Sequence, residues 1–106
     1  MNQGDVYWYK FKEPNKERPI LILTRTDLIP ILNSVTIAEV TTTIRDNKAE
    51  VWLDEADGLL ESCVANLVNI QTVLKARLGR FITHVPEERL KDDVRKAMEF
   101  VFHLWE

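Results

Sequence analysis

Val35-Thr-Ile-Ala-Glu-Val-Thr-Thr-Thr-Ile-Arg45 alternates in polarity and is dense in threonine and valine. Successive side chains of an extended segment point to opposite faces. The run therefore reads as a strand with Glu39, Thr41, Thr43 and Arg45 on one face and Ala38, Val40, Thr42 and Ile44 on the other. Asp46-Asn47-Lys48 reads as a tight turn into Ala49-Glu-Val-Trp-Leu53, which makes a hairpin. Upstream, Pro19-Ile-Leu-Ile-Leu-Thr-Arg25 is a continuous apolar run bounded by proline, the pattern of a strand buried on both faces. Asp5-Val-Tyr-Trp-Tyr-Lys-Phe11 is another strand, with Val6 and Trp8 on one face and Tyr7, Tyr9 and Phe11 on the other. Its apolar second face predicts cover by a partner or ligand.

Downstream, Ser62 to Asn66, Val68 to Val73 and Arg80 to His84 read as short strands, with a single helical turn over Lys75 to Leu78. Pro86 starts a helix that runs to about Leu104, with Glu87 and Glu88 placed to suit its dipole and Val85 at the N-cap position. Leu90, Val94, Ala97, Met98, Val101 and Trp105 form one apolar stripe. Phe100, Phe102 and Leu104 lie off it, which predicts that this end packs on two surfaces. The expected product is a mainly β (α+β) chain, residues 1–106 as a single domain, with a C-terminal helix. Closure into a small antiparallel barrel would remove exposed strand edges.

Among 106 residues, 14 are basic and 17 acidic, a formal charge of −3. Residues 1–53 hold seven of each sign, so the excess acid lies wholly in residues 54–106. A protein that coats nucleic acid through a global basic surplus is excluded; a local basic groove is not. One cysteine, Cys63, excludes an internal disulfide framework and a cysteine-based zinc site. The start, Met1-Asn2-Gln3-Gly4, lacks the regions of a signal peptide, and no apolar run is long enough to span a bilayer, so a cytoplasmic location without membrane association is expected. His84 and His103 stand in no metal-binding spacing. Phosphate-binding loops and hydrolase elbows are missing, and Cys63 sits in an apolar stretch that suits a buried hydrophobe. An enzyme built from these residues works without metal or nucleotide cofactor. Transfer within RNA meets that condition, because the substrate's own 2′-OH is the nucleophile and the protein supplies proton transfer and charge stabilisation.

The segments Gly4-Asp-Val-Tyr-Trp8, Arg18-Pro19-Ile-Leu-Ile-Leu23, Val35 to Arg45, Glu50-Val51, Asp57-Gly-Leu59, Cys63-Val-Ala-Asn-Leu67 and Asn69 to Val73 occur in an order and spacing that resemble the MazF/PemK family of toxin endoribonucleases. The likeness spans Gly4 to about Leu104. It implies a small SH3-like antiparallel barrel of the PemK/CcdB-like kind that forms a homodimer. It also implies metal-independent, sequence-selective cleavage of single-stranded RNA and a cognate antitoxin partner whose acidic, partly apolar tail fills the RNA groove. In family terms Arg18 handles proton transfer and phosphate charge, and Thr41 hydrogen-bonds the scissile phosphate. Lys16, Glu39, Thr42, Thr43 and Asn69 are the implied substrate-binding set, with no metal ligand. The chain departs from the pattern in a short first loop over Lys12 to Glu17, in Val68 where an acidic residue is common, and in Leu74 where proline is frequent. Two other readings remain open: a toxin of the same barrel type that poisons DNA gyrase through the Phe100 to Trp105 end, and a non-catalytic RNA- or protein-binding barrel. From strand geometry, Glu39 pairs with Arg18 or acts as a base toward the 2′-OH; the alternative is an ion pair with Arg45 or Lys48.

Overall fold

Apolar side chains on both faces of the central strands give this chain two cores rather than one. The computed structural model describes residues 1–12 and 16–104. The strands are β1 (Asp5–Lys10), β2 (Glu17–Ile22), β3 (Ser34–Thr41), β4 (Glu50–Leu53), β5 (Cys63–Leu74) and β6 (Leu78–His84). They form one sheet in the order β4-β5-β3-β2-β1-β6, and every neighbouring pair is antiparallel. The sheet is barrel-like but not closed, since β4 and β6 are its two edges. The C-terminal helical segment comprises α1 (Glu87–Arg89), a π-helical turn (Leu90–Val94) and α2 (Arg95–Phe102). Among the described residues, no helix is long and apolar enough to cross a membrane.

In β2, Leu21 joins a core with Val6, Val40, Leu53, Ala65, Leu67, Val94 and Ala97, against which the helical residues Leu90, Met98 and Val101 pack. Ile20 and Ile22 point the other way, into a second core with Ile29, Val35, Ile37 and Val73. This two-sided burial explains the unbroken apolar run. Each fully buried aliphatic side chain contributes about 1.5–3 kcal/mol. Tyr7, Tyr9 and Phe11 pack on the second core. All three stay partly exposed, so the chain itself covers only the inner side of the apolar second face of the first strand.

Four sequence expectations are corrected. The strand over 35–45 stops at Thr41. The Thr43 amide instead donates to Thr41 Oγ1, and the Arg45 amide donates to the Glu50 carboxylate. Side-chain acceptors take the amides that a strand partner would have held, so Thr43 and Arg45 do not continue the Glu39 face. β4 does not form a hairpin with β3; β5 lies between them and pairs with both. The two strands expected over 62–73 are one strand, β5, bent where Ala38 faces Ile70 and the next residue, Glu39, faces Asn66. Leu67 to Asn69 bulge out at that point, which re-aims side chains. At the C-terminus, helical structure covers 87–102 with Pro86 at its N-cap. Phe100, Phe102 and Leu104 are solvent-exposed rather than packed on a second surface. Trp105 of the predicted stripe lies outside the described residues. The helical turn at Lys75–Arg77 is as expected.

Candidate functional site

A groove opens where the β2–β3 ladder ends. Registered pairs between these strands run only from Ile20↔Glu39 to Ile22↔Ile37. Pro19, the next residue of β2, has no N–H to extend a ladder. Beyond it the two chains part. Lys16, Glu17, Arg18 and Pro19 line one side, and Val40, Thr41, Thr42 and Thr43 line another. Leu59, Leu60, Glu61 and Cys63 contribute a further wall, and Trp8 and Ile82 supply apolar lining. The groove has a volume of about 510 Å³, large enough for a nucleotide-sized ligand.

Arg18 lies two residues from Ile20, hence diagonal to Glu39 on the same face, within reach of long side chains. Its Nη1 stands 3.5 Å from Glu39 Oε1. Glu39 Oε2 also accepts a hydrogen bond from Gln71 Nε2 at 3.3 Å. The carboxylate therefore pairs with Arg18, not with Arg45 or Lys48. Among the described residues Arg18 makes no other side-chain hydrogen bond or ion pair, and its side chain is 39% exposed, so the remaining guanidinium donors face the groove and solvent. Thr41 Oγ1 accepts from the Thr43 amide at 3.1 Å. That bond occupies a lone pair and leaves the hydroxyl proton available to donate.

Cys63, buried in the wall, is held neutral. Burial, then the carboxylates of Glu61, Asp57 and Asp54, push its thiol up to about 11. A thiol in that state is not a nucleophile at neutral pH. Among the described residues, no group of three or more His, Cys, Asp or Glu side chains is arranged to hold a metal ion.

The structure thus brings together Arg18, Thr41, Thr42, Thr43 and Lys16 on the groove lining, with Glu39 reaching it through Arg18. It does not bring Asn69 there: that residue is exposed in the β5 bulge, outside the lining. Lys10, Lys12 and Arg45 also stay off the lining, which carries Lys16 and Arg18 with Glu17 and Glu61. Sequence reasoning missed Trp8, Leu60 and Glu61 as groove residues. Trp8 lay inside a quoted segment, but nothing in its neighbours showed that the ladder would open beside it.

Fold and groove define the class first: a small, mainly β protein with a C-terminal helix and an arginine–threonine cleft at the end of one strand ladder. The profile of the PemK-like, MazF-like toxin of type II toxin-antitoxin systems matches residues 2–102, and the chain belongs to that family. Endoribonuclease MazF3 of Mycobacterium tuberculosis is 42% identical over 71 residues, covering 67% of this chain and 69% of the relative. Probable endoribonuclease MazF5 of the same species is 35% identical over 83 residues, covering 74% and 75%. Among solved structures, the Mycobacterium tuberculosis toxin MazF-mt6 superposes with a TM-score of 0.86 at 32% identity, covering 96% of this chain and 99% of that one.

Proposed function

We propose that this chain, residues 1–106 acting as one toxin domain, is a metal-independent endoribonuclease that cuts single-stranded RNA at selected sequences. The observation that carries the reading is the parting of β2 and β3 at Pro19, which leaves Arg18 and Thr41 on the lining of one groove with donors unspent. The substrate 2′-OH attacks the adjacent phosphorus as the bond to O5′ breaks, yielding a 2′,3′-cyclic phosphate and a 5′-hydroxyl. Solvent water takes the proton from the 2′-oxygen and returns one to O5′ as its bond to phosphorus breaks. Arg18, always charged, stabilises the negative charge that grows on the non-bridging oxygens and is placed to donate toward the leaving oxygen. Thr41 donates its hydroxyl to the same phosphate. Glu39 orients the guanidinium, with Gln71 fixing the carboxylate. Thr42, Thr43 and Lys16 contact the flanking strand, and Asn69 meets RNA only where substrate extends past the groove.

The mixed charge of the lining supports binding through few phosphates, so log affinity should fall only shallowly with log salt. A homodimer, a cognate antitoxin and work in the cytoplasm complete the proposal. The antitoxin is supported by the family description, a toxin of type II toxin-antitoxin systems. The test is incubation of purified protein with a long single-stranded RNA in EDTA, followed by end mapping. Discrete cuts bearing cyclic-phosphate ends support the reading. Intact RNA accompanied by gyrase inhibition would replace it with the gyrase-poison alternative, and neither activity would leave the non-catalytic barrel.

A further inference from the structure

We infer that Arg89, which lines no part of the groove, is a positioning residue that fixes the groove's Leu59–Glu61 wall and thereby sets which RNA sequences are cut. The inference rests on the endoribonuclease reading. The segment between β4 and β5 is short and acidic, and it holds its shape through its own polar groups. Asp54 caps a single 3-10 turn over Glu55–Asp57, its side chain accepting from the Ala56 amide while Asp57 returns a carboxylate to the Asp54 amide. Gly58 closes the turn at φ 93°, and the Leu59 amide bonds back to the Asp54 carbonyl. Four carboxylates, Asp54, Glu55, Asp57 and Glu61, crowd this stretch, so it needs a counter-charge to stay folded against the sheet.

Arg89 supplies that charge from the helix. Nη1 donates to Asp57 Oδ1 at 2.7 Å, Nη2 donates to the Trp52 carbonyl at 2.6 Å, and Nε bonds Asp93. One planar fork thus ties the acidic turn and the end of β4 to the helix, the geometry arginine is suited to and lysine is not. Thr83 of β6 adds a second hold, donating to the Asp57 carbonyl at 2.9 Å. The chain leaving this clamp becomes the groove wall. Leu60 there is 85% exposed, an apolar lip on the same groove that Arg18 lines. A base beside the scissile phosphate meets this lip, so its position discriminates between sequences without taking part in the chemistry.

The test uses the full-length protein, with Arg89→Met, Arg89→Lys, Asp57→Asn and the double variant Arg89→Met/Asp57→Asn, at a temperature where each is folded. Amide exchange at Leu59 should accelerate by about tenfold in Arg89→Met while amides of β3 and β5 stay protected. End mapping on one RNA should show the rate ratio between preferred and secondary sites falling by about tenfold, with KM at the preferred site rising more than kcat falls. Arg89→Lys should restore part of the selectivity, and the double variant should be no worse than the single ones. An unchanged cleavage pattern with a proportional loss of kcat, or unchanged Leu59 exchange, would overturn the inference. A wild-type protein that leaves RNA intact would overturn the endoribonuclease reading and the selectivity claim together. The exchange experiment still reports on the clamp, so the two failures are distinguishable.

Discussion

Arg18 and Arg89 are almost equally accessible, 39% and 28% exposed at the side chain, yet they are bonded in opposite ways. Arg89 is bonded at all three of its nitrogens: two carboxylates and a backbone carbonyl each take a donor. Burial alone would lower its pKa, but the hydrogen bond to Asp93 and the charges of Asp57, Asp93 and Asp54 outweigh that and raise it. Arg18 holds one carboxylate at the edge of ion-pair range and keeps the rest of its fork for something else. The contrast teaches that exposure does not separate an arginine committed to holding the fold from one with donors to spare. The bonding pattern does.

The comparison breaks most easily at Arg18. Arg18→Ala should lower kcat by about 10²–10³-fold, the effect of removing a donor from developing transition-state charge. Its thermal melt should barely move, because an exposed ion pair is worth about 0–1 kcal/mol. Arg18→Ala that melts far below wild type would merge the two arginines into one structural class. Arg89→Met should do the reverse in stability, costing about 2 kcal/mol in urea unfolding, since charged hydrogen bonds to the little-exposed Asp57 are lost. Thr41→Val should reduce kcat by about tenfold to a hundredfold, the range in which one neutral donor falls below a charged one. Glu39→Gln sharpens the account of Arg18. If the carboxylate only orients the guanidinium, the pH–rate profile keeps its shape at lower height; loss of the acidic limb would make Glu39 the base instead.

The smallest effect concerns Cys63. Its folded pKa is raised to about 11 from an ordinary 9.0, chiefly by burial. The neutral thiol is therefore favoured by folding. Its contribution to stability is complete below pH 9 and is lost as pH rises from about 9 through about 11. The urea midpoint should fall over that window in wild type and fall less in Cys63→Val, and iodoacetamide should label the folded thiol slowly at pH 8. Rapid labelling would contradict the neutral, buried assignment.

How far these regions could be read from residues differs for physical reasons. The double-faced burial of Pro19 to Leu23 and the helix after Pro86 were legible because apolar periodicity is a local property. The pairing of β4 with β5 was not, because a tight turn at Asp46-Asn47-Lys48 states that the chain reverses, not which strand it then meets. Thr42 to Arg45 kept strand-like alternation after strand pairing had ended, so pattern alone overran the element by four residues. At the site, Arg18 and Thr41 were named through the family resemblance, whereas strand geometry left the partner of Glu39 open between Arg18 and Arg45 or Lys48, because neither strand states the β2–β3 register. The Arg89 clamp was invisible: its partners Asp57 and Trp52 lie 32 and 37 residues away. Asn69 could not be located from sequence because the bulge in β5, which sets it outside the groove lining, depends on how β5 pairs.

The most direct measurement is end mapping of one long single-stranded RNA, incubated in EDTA with equal amounts of wild type, Arg18→Ala and Arg89→Met. Wild type should produce discrete cuts with 2′,3′-cyclic phosphate and 5′-hydroxyl ends, Arg18→Ala should produce essentially none, and Arg89→Met should cut at more sites with the same chemistry. Undiminished cleavage by Arg18→Ala would contradict the placement of the reaction in the groove between β2 and β3.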